Sequence, residues 1–80
     1  MHETHLIEPI IKGIVGHAQK EKAQAIAKVR LKVGALCGIK EASFRETFKT
    51  LSQGTLLENS EVELTFFPGS RIEVVSFDIE

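Results

Sequence analysis

The stretch Ala27-Lys28-Val29-Arg30-Leu31-Lys32-Val33-Gly34 decides the fold. Val29, Leu31 and Val33 alternate strictly with Lys28, Arg30 and Lys32. A period of two puts the apolar residues on one face of a strand and the cations on the other, one buried and one wet. Gly34 and Gly38 bracket the loop that follows, which holds Cys37, the chain's single cysteine.

Downstream of this strand the period becomes helical. From Glu41 to Gln53, Phe44, Phe48 and Leu51 line one face. Two starts fit this helix. Ser43 with Glu46 reads as a capping box, whereas Glu41 with Arg45 at i,i+4 suits an earlier start. Gly54 stands where a helix ends in a left-handed glycine. Glu61 to Phe67 alternates again, with Val62, Leu64 and Phe66 on one side. A strand–helix–strand unit of this kind crosses over right-handed, so its two strands are expected to lie side by side and parallel. Pro68-Gly69-Ser70 reads as a tight turn, proline then glycine in type II order, and predicts an antiparallel hairpin between 61–67 and 71–80. The last strand changes phase: Ile72 and Val74 are out of step with Val75, Phe77 and Ile79. That predicts a bulge or a strand covered on both faces.

Upstream, Ile7, Ile10, Ile11, Ile14 and Ala18 recur at spacings of three and four, one face of an amphipathic helix over Leu6 to Ala18. Proline is harmless only in a helix's first turn. Either the helix starts near Leu6 to Glu8, or an earlier turn exists and is loosened at Pro9. The expected fold is therefore α+β, one domain over residues 1–80, with element order helix, strand, helix, strand, strand. Two helices pack on one face of a mixed three-stranded sheet, the arrangement that buries every apolar stripe. Val29, Leu31, Val33, Phe44, Phe48, Leu64 and Phe66 are the expected core.

Composition narrows the function classes. The chain has 80 residues, 10 basic against 11 acidic, for a net charge of −1. No basic excess suggests nucleic acid, and no polybasic run suggests an anionic membrane. No apolar run is long enough to span a bilayer. The start, Met-His-Glu-Thr-His, lacks the basic opening of a signal peptide, so a cytoplasmic domain is expected. One cysteine excludes an internal disulfide and a four-cysteine zinc site. No P-loop, dinucleotide fingerprint or Gly-x-Ser-x-Gly occurs, and no acid/base or nucleophile constellation can be assembled, so an enzyme is not expected.

Metal chemistry is carried by the N-terminus. Met1 is expected to be retained, because His2 is too bulky for its removal. The α-amine, the His2 amide nitrogen and an His2 imidazole nitrogen can then close adjacent chelate rings around one metal. The Glu3 carboxylate or amide can supply a fourth position. A flat, nitrogen-rich set suits Ni(II) or Cu(II) better than zinc. The plain alternative is an exposed histidine with no ligand. His5 lies one helical turn beyond His2, and His17 stands near the helix C-terminus, where a cationic imidazole suits the dipole. Cys37 reads as a small half-buried thiol, since no local Cys–His pairing can be argued.

The sequence resembles the HypA/HybF family of hydrogenase and urease nickel-incorporation proteins. Met1-His2-Glu3-Thr4-His5-Leu6 is similar to the family's Met-His-Glu opening. Residues 28–39 resemble its first strand and loop. Phe44, Phe48, Gly54-Thr55-Leu56 and Val62-Glu63-Leu64 follow its second helix and second strand, and Ser70 to Glu80 resembles its last strand. The resemblance implies a nickel metallochaperone, with His2 as the essential ligand and Glu3 beside it. It implies a nickel-handling GTPase and the hydrogenase large subunit as partners, with the urease machinery in some members. The family normally carries a zinc segment with two Cys-x-x-Cys pairs between its last two strands. Here Pro68-Gly69-Ser70 stands in its place, and no structural zinc is expected. Lys40 stands where the family's loop usually has an acidic residue. A protein-interaction module of the same fold that has lost metal delivery is the alternative. With strand edges open and a short hinge at Pro68-Gly69, a homodimer is expected.

Overall fold

The computed structural model describes residues 3–80, with side chains from Thr4 onward. The order is α1 (Glu3–Lys20), β1 (Ile26–Gly34), a 3₁₀ turn (Ala35–Cys37), α2 (Glu41–Ser52), β2 (Glu61–Phe67) and β3 (Ile72–Ile79). The two helices and the mixed three-stranded sheet are those the periodicities predict. In α1, Ile7, Ile11, Ile14 and Ala18 are buried, and they meet Val29, Leu31 and Val33 of β1 and Phe44 and Phe48 of α2 in one core.

Helix α1 takes the earlier of the two starts, so Pro9 lies inside it. Pro9 has no N–H to donate to the carbonyl four residues back, which leaves the first turn tied by one bond fewer. Helix α2 also takes its earlier start. Lys40 is its N-cap without a side-chain bond, so Ser43 and Glu46 form no capping box. Instead Arg45 Nε donates to Glu41 at 2.9 Å. Gly54 takes φ 78°, the left-handed conformation expected just past the helix.

The hairpin expectation is wrong. The strand order is β2-β1-β3. β2 runs parallel to β1, with Val29 opposite Val62 and Val33 opposite Phe66. β3 lies on the other side of β1, antiparallel to it, with Val33 opposite Ile72 and Val29 opposite Phe77. Gly69 does not take a positive φ, so Pro68-Gly69 is not a type II turn. Gly69 N–H donates to Phe67 C=O at 2.9 Å, a γ-type bend around Pro68. The chain from 68 to 71 then passes over the end of β1. Gly34 N–H donates to Arg71 C=O at 2.8 Å and Leu36 N–H to Gly69 C=O at 2.9 Å. A glycine is required at this crossing. A Cβ on Gly34 would stand 2.6 Å from the Gly69 carbonyl carbon and 2.8 Å from Arg71 N. The hairpin expectation failed because proline–glycine order says that the chain turns, and does not say which side of β1 it returns to.

The phase change in β3 is a bulge: Leu31 faces Val74 and Arg30 faces Ser76, leaving Val75 unpaired. Two expected core residues are corrected. Leu64 is only half-buried, and Phe66 is 40% exposed because β2 is an edge strand. Leu57, in the connection from α2 to β2, and Ile26 are buried instead.

Candidate functional site: the start of the first helix

His2 and the Glu3 side chain lie outside the described residues. The backbone of Glu3 opens α1. The direction of α1 follows from its contacts. Pro9 and Ile10 share a shallow groove with Val74, and the His17 ring meets Phe77 edge-on at 5.6 Å. α1 therefore runs along β3 in the same sense, and its N-terminus lies toward the end where Val33 pairs with Ile72. The 3₁₀ turn with half-buried Cys37 and the crossing at 68–71 lie at that same end.

Among the described residues, no three His, Cys, Asp or Glu side chains converge on one point. His5 is exposed and lines a shallow cleft with Thr4, Glu8 and Pro9. His17 is at the opposite end of α1. The described residues thus contribute no three-ligand cluster of their own. The chain's only cysteine is Cys37.

The wet face of the sheet is an ion-pair lattice. Lys28 Nζ lies 3.1 Å from Glu61 and 3.4 Å from Glu63. Hydrogen bonding to Glu61 and its charge, and then those of Glu63, hold the Lys28 ammonium above its ordinary range. The Arg30 guanidinium forks onto both carboxylate oxygens of Asp78 at 3.2 Å and also reaches Ser76. The Arg30 hydrogen bonds hold Asp78 below the usual carboxylate range. The acidic residues Glu61, Glu63 and Asp78 stand on the two outer strands. Their partners are the β1 cations, which the β2-β1-β3 order places between them.

The profile of the family described as "Hydrogenase/urease nickel incorporation, metallochaperone, hypA" matches residues 1–72. The chain belongs to the HypA family. It is 34% identical over 70 residues to a hydrogenase maturation factor HypA from Beijerinckia indica, covering 88% of this chain and 62% of that protein. A HypA from Dehalococcoides mccartyi is 32% identical over 68 residues, covering 85% of this chain and 57% of the relative. The chain thus spans about three-fifths of the length of these HypA relatives. The solution structure of the Ni metallochaperone HypA from Helicobacter pylori superposes with a TM-score of 0.82, covering 99% of this chain and 97% of that one. At 15% identity this likeness carries the fold. No described helix is long and apolar enough to cross a membrane.

Proposed function

We propose that this chain is a nickel-binding delivery domain that takes up Ni(II) at its N-terminus and hands it to a maturing nickel enzyme such as [NiFe]-hydrogenase. The observation that supports it is the family match from residue 1, a span that includes Met1-His2-Glu3. Binding uses the α-amine, the amide and imidazole nitrogens of His2, and the Glu3 carboxylate. These nitrogens must shed protons to coordinate, so affinity falls on acidification. Delivery needs no bond-making chemistry from the protein, only binding and release, and the domain is not an enzyme. A nickel-handling GTPase and the hydrogenase large subunit are the partners this role requires, and the domain works in the cytoplasm. The alternative, an interaction module that no longer delivers metal, is favoured by the short crossing at 68–71, which leaves no room for the family's zinc segment. Calorimetric nickel titration separates the two. A chain with a free α-amine should bind one Ni(II), and a chain extended by one N-terminal residue should bind far more weakly. Equal binding by both would remove the N-terminal chelate.

A further inference from the structure

The β3 flank of the domain is apolar and uncovered. Of the five exposed large apolar side chains among the described residues, three are on β3: Val74, Val75 and Ile79. Beside them, between α1 and β3, lies a shallow groove of about 280 Å³. Pro9, Ile10 and the His17 ring form its helix wall. Gly13 leaves it open, with nothing within 4 Å of where a Cβ would stand. β3 is outermost in the order β2-β1-β3, so its outer side presents backbone N–H and C=O groups to no neighbouring strand.

Which groups face outward follows from the two ends of the strand. Arg71 C=O accepts from Gly34 N–H, Glu80 C=O accepts from Gln24 N–H, and Glu80 N–H donates to Ala25 C=O, each at 2.8 Å. Residues 71 and 80 therefore point inward. Alternation from either end leaves Ile72, Val74, Val75, Phe77 and Ile79 pointing outward, the two series meeting at the bulge. The side chains follow the same break. Ile72, Val74 and Phe77 lie opposite Val33, Leu31 and Val29 and face the helices. Glu73, Ser76 and Asp78 lie opposite Lys32, Arg30 and Lys28 and face away from them.

A strand with this break fits an inverted copy of itself. Two β3 strands can be set antiparallel with a two-fold axis between Val74 and Val75. Ile72 then stands opposite Phe77 of the second copy, Glu73 opposite Ser76, Arg71 opposite Asp78, and Val74 opposite Val75. Away from the axis, outward backbone meets outward backbone and each pair of side chains shares one face. A regularly alternating strand from another protein matches only one half, because the break at Val75 reverses the phase of the other. The charges permit the pairing. No acidic residue stands opposite another, and Glu73 and Asp78 are already paired with Arg71 and Arg30 of their own chain. The β2 edge is less open, since Arg45 Nη1 already donates to Val62 C=O at 2.7 Å.

We infer that the chain forms a two-fold homodimer by pairing β3 with β3, which joins the two sheets in the order β2-β1-β3-β3-β1-β2. The contact is isologous, with the same strand contributed by both copies. It covers Val74 and Val75, and it brings the helix-facing side chains of each β3 beside the α1 groove of the other copy. Because α1 runs along β3 in the same sense, the two helix starts lie toward opposite ends of the joined sheet. The contact is made by strands and requires no metal.

Sedimentation equilibrium of the untagged full chain in EDTA, from micromolar to millimolar concentration, tests this. The mean mass should rise from one chain toward two. Deuterium exchange at the outward amides of Ile72, Val74, Val75 and Phe77 should slow over the same range. Val75→Lys and Arg71→Glu, both at exposed positions, should each weaken association about tenfold or more, with the melting temperature of the dilute protein unchanged. Thr65→Lys, exposed on β2, should leave association as it is. A single-chain mass at millimolar concentration would overturn the proposal. So would association undiminished in either β3 variant, association lost in Thr65→Lys, or slowed exchange confined to β2.

Discussion

Replacing Gly34 by alanine tests the chain path that most distinguishes this domain. Gly34 has φ −69° and ψ 127°, which alanine adopts freely, so backbone strain is not at issue. What alanine meets is the crossing segment, with its Cβ 2.6 Å from the Gly69 carbonyl carbon and 2.8 Å from Arg71 N. Restoring ordinary contact moves that backbone by roughly 0.7–0.9 Å, since non-bonded heavy atoms rest about 3.5 Å apart. The displaced segment is held by Gly34 N–H to Arg71 and Leu36 N–H to Gly69. Overpacking costs about 1–3 kcal/mol, and weakening two hydrogen bonds adds about 1 kcal/mol. Stiffening of the unfolded chain returns about 0.4–1 kcal/mol. The net loss is about 1–3.6 kcal/mol, or roughly 4–29 °C in melting temperature for a domain this small. Urea denaturation followed by circular dichroism measures it. Gly13→Ala is the control: it lies in α1 with nothing within 4 Å of an added Cβ, and it should stabilise by about 0.5–1 kcal/mol. A Gly34→Ala protein as stable as its parent would refute the crossing over β1 and reinstate a simple hairpin.

Phe48→Ala, which empties a site only 2% exposed, should cost about 3–5 kcal/mol in urea unfolding, whereas Phe66→Ala at the 40% exposed edge should cost under about 1.5 kcal/mol. EDTA should leave the far-ultraviolet circular dichroism unchanged, because stability comes from the core; collapse of the signal would reveal a structural metal. The ion-pair lattice sets two pH limits. Asp78 has its folded pKa depressed, so its stabilisation is present above the unfolded value and is lost as pH falls through the folded one. Lys28 has its folded pKa raised, so its stabilisation is full below about 10.5 and is lost as pH rises beyond it. Asp78→Asn should flatten the acid limb of melting temperature against pH, and added salt should shrink the effect.

The elements were legible because their signals are local. The alternation at 28–33 and the spacing of Ile7, Ile11 and Ile14 each fix a buried face without reference to the rest of the chain. The phase slip around Val75 was visible for the same reason: one extra residue reverses which side chains face the core. Strand order was not legible, since the side of β1 on which β3 docks depends on where α1 leaves apolar surface uncovered. Leu57 was missed because it lies in a connection with no period to mark it. Phe66 was misplaced because alternation gives the face of a strand but not its distance from the sheet edge. At the candidate site, the donors of Met1-His2-Glu3 follow from their chemistry in sequence, whereas the approach of the start of α1 to the Gly34 end required the direction of that helix.

The decisive measurement is the nickel stoichiometry and affinity of the chain with an intact N-terminus, beside His2→Ala under identical conditions. One Ni(II) per chain, lost or strongly weakened in His2→Ala while the melting temperature is unchanged, is the predicted result. Nickel bound equally tightly by His2→Ala would contradict the N-terminal site.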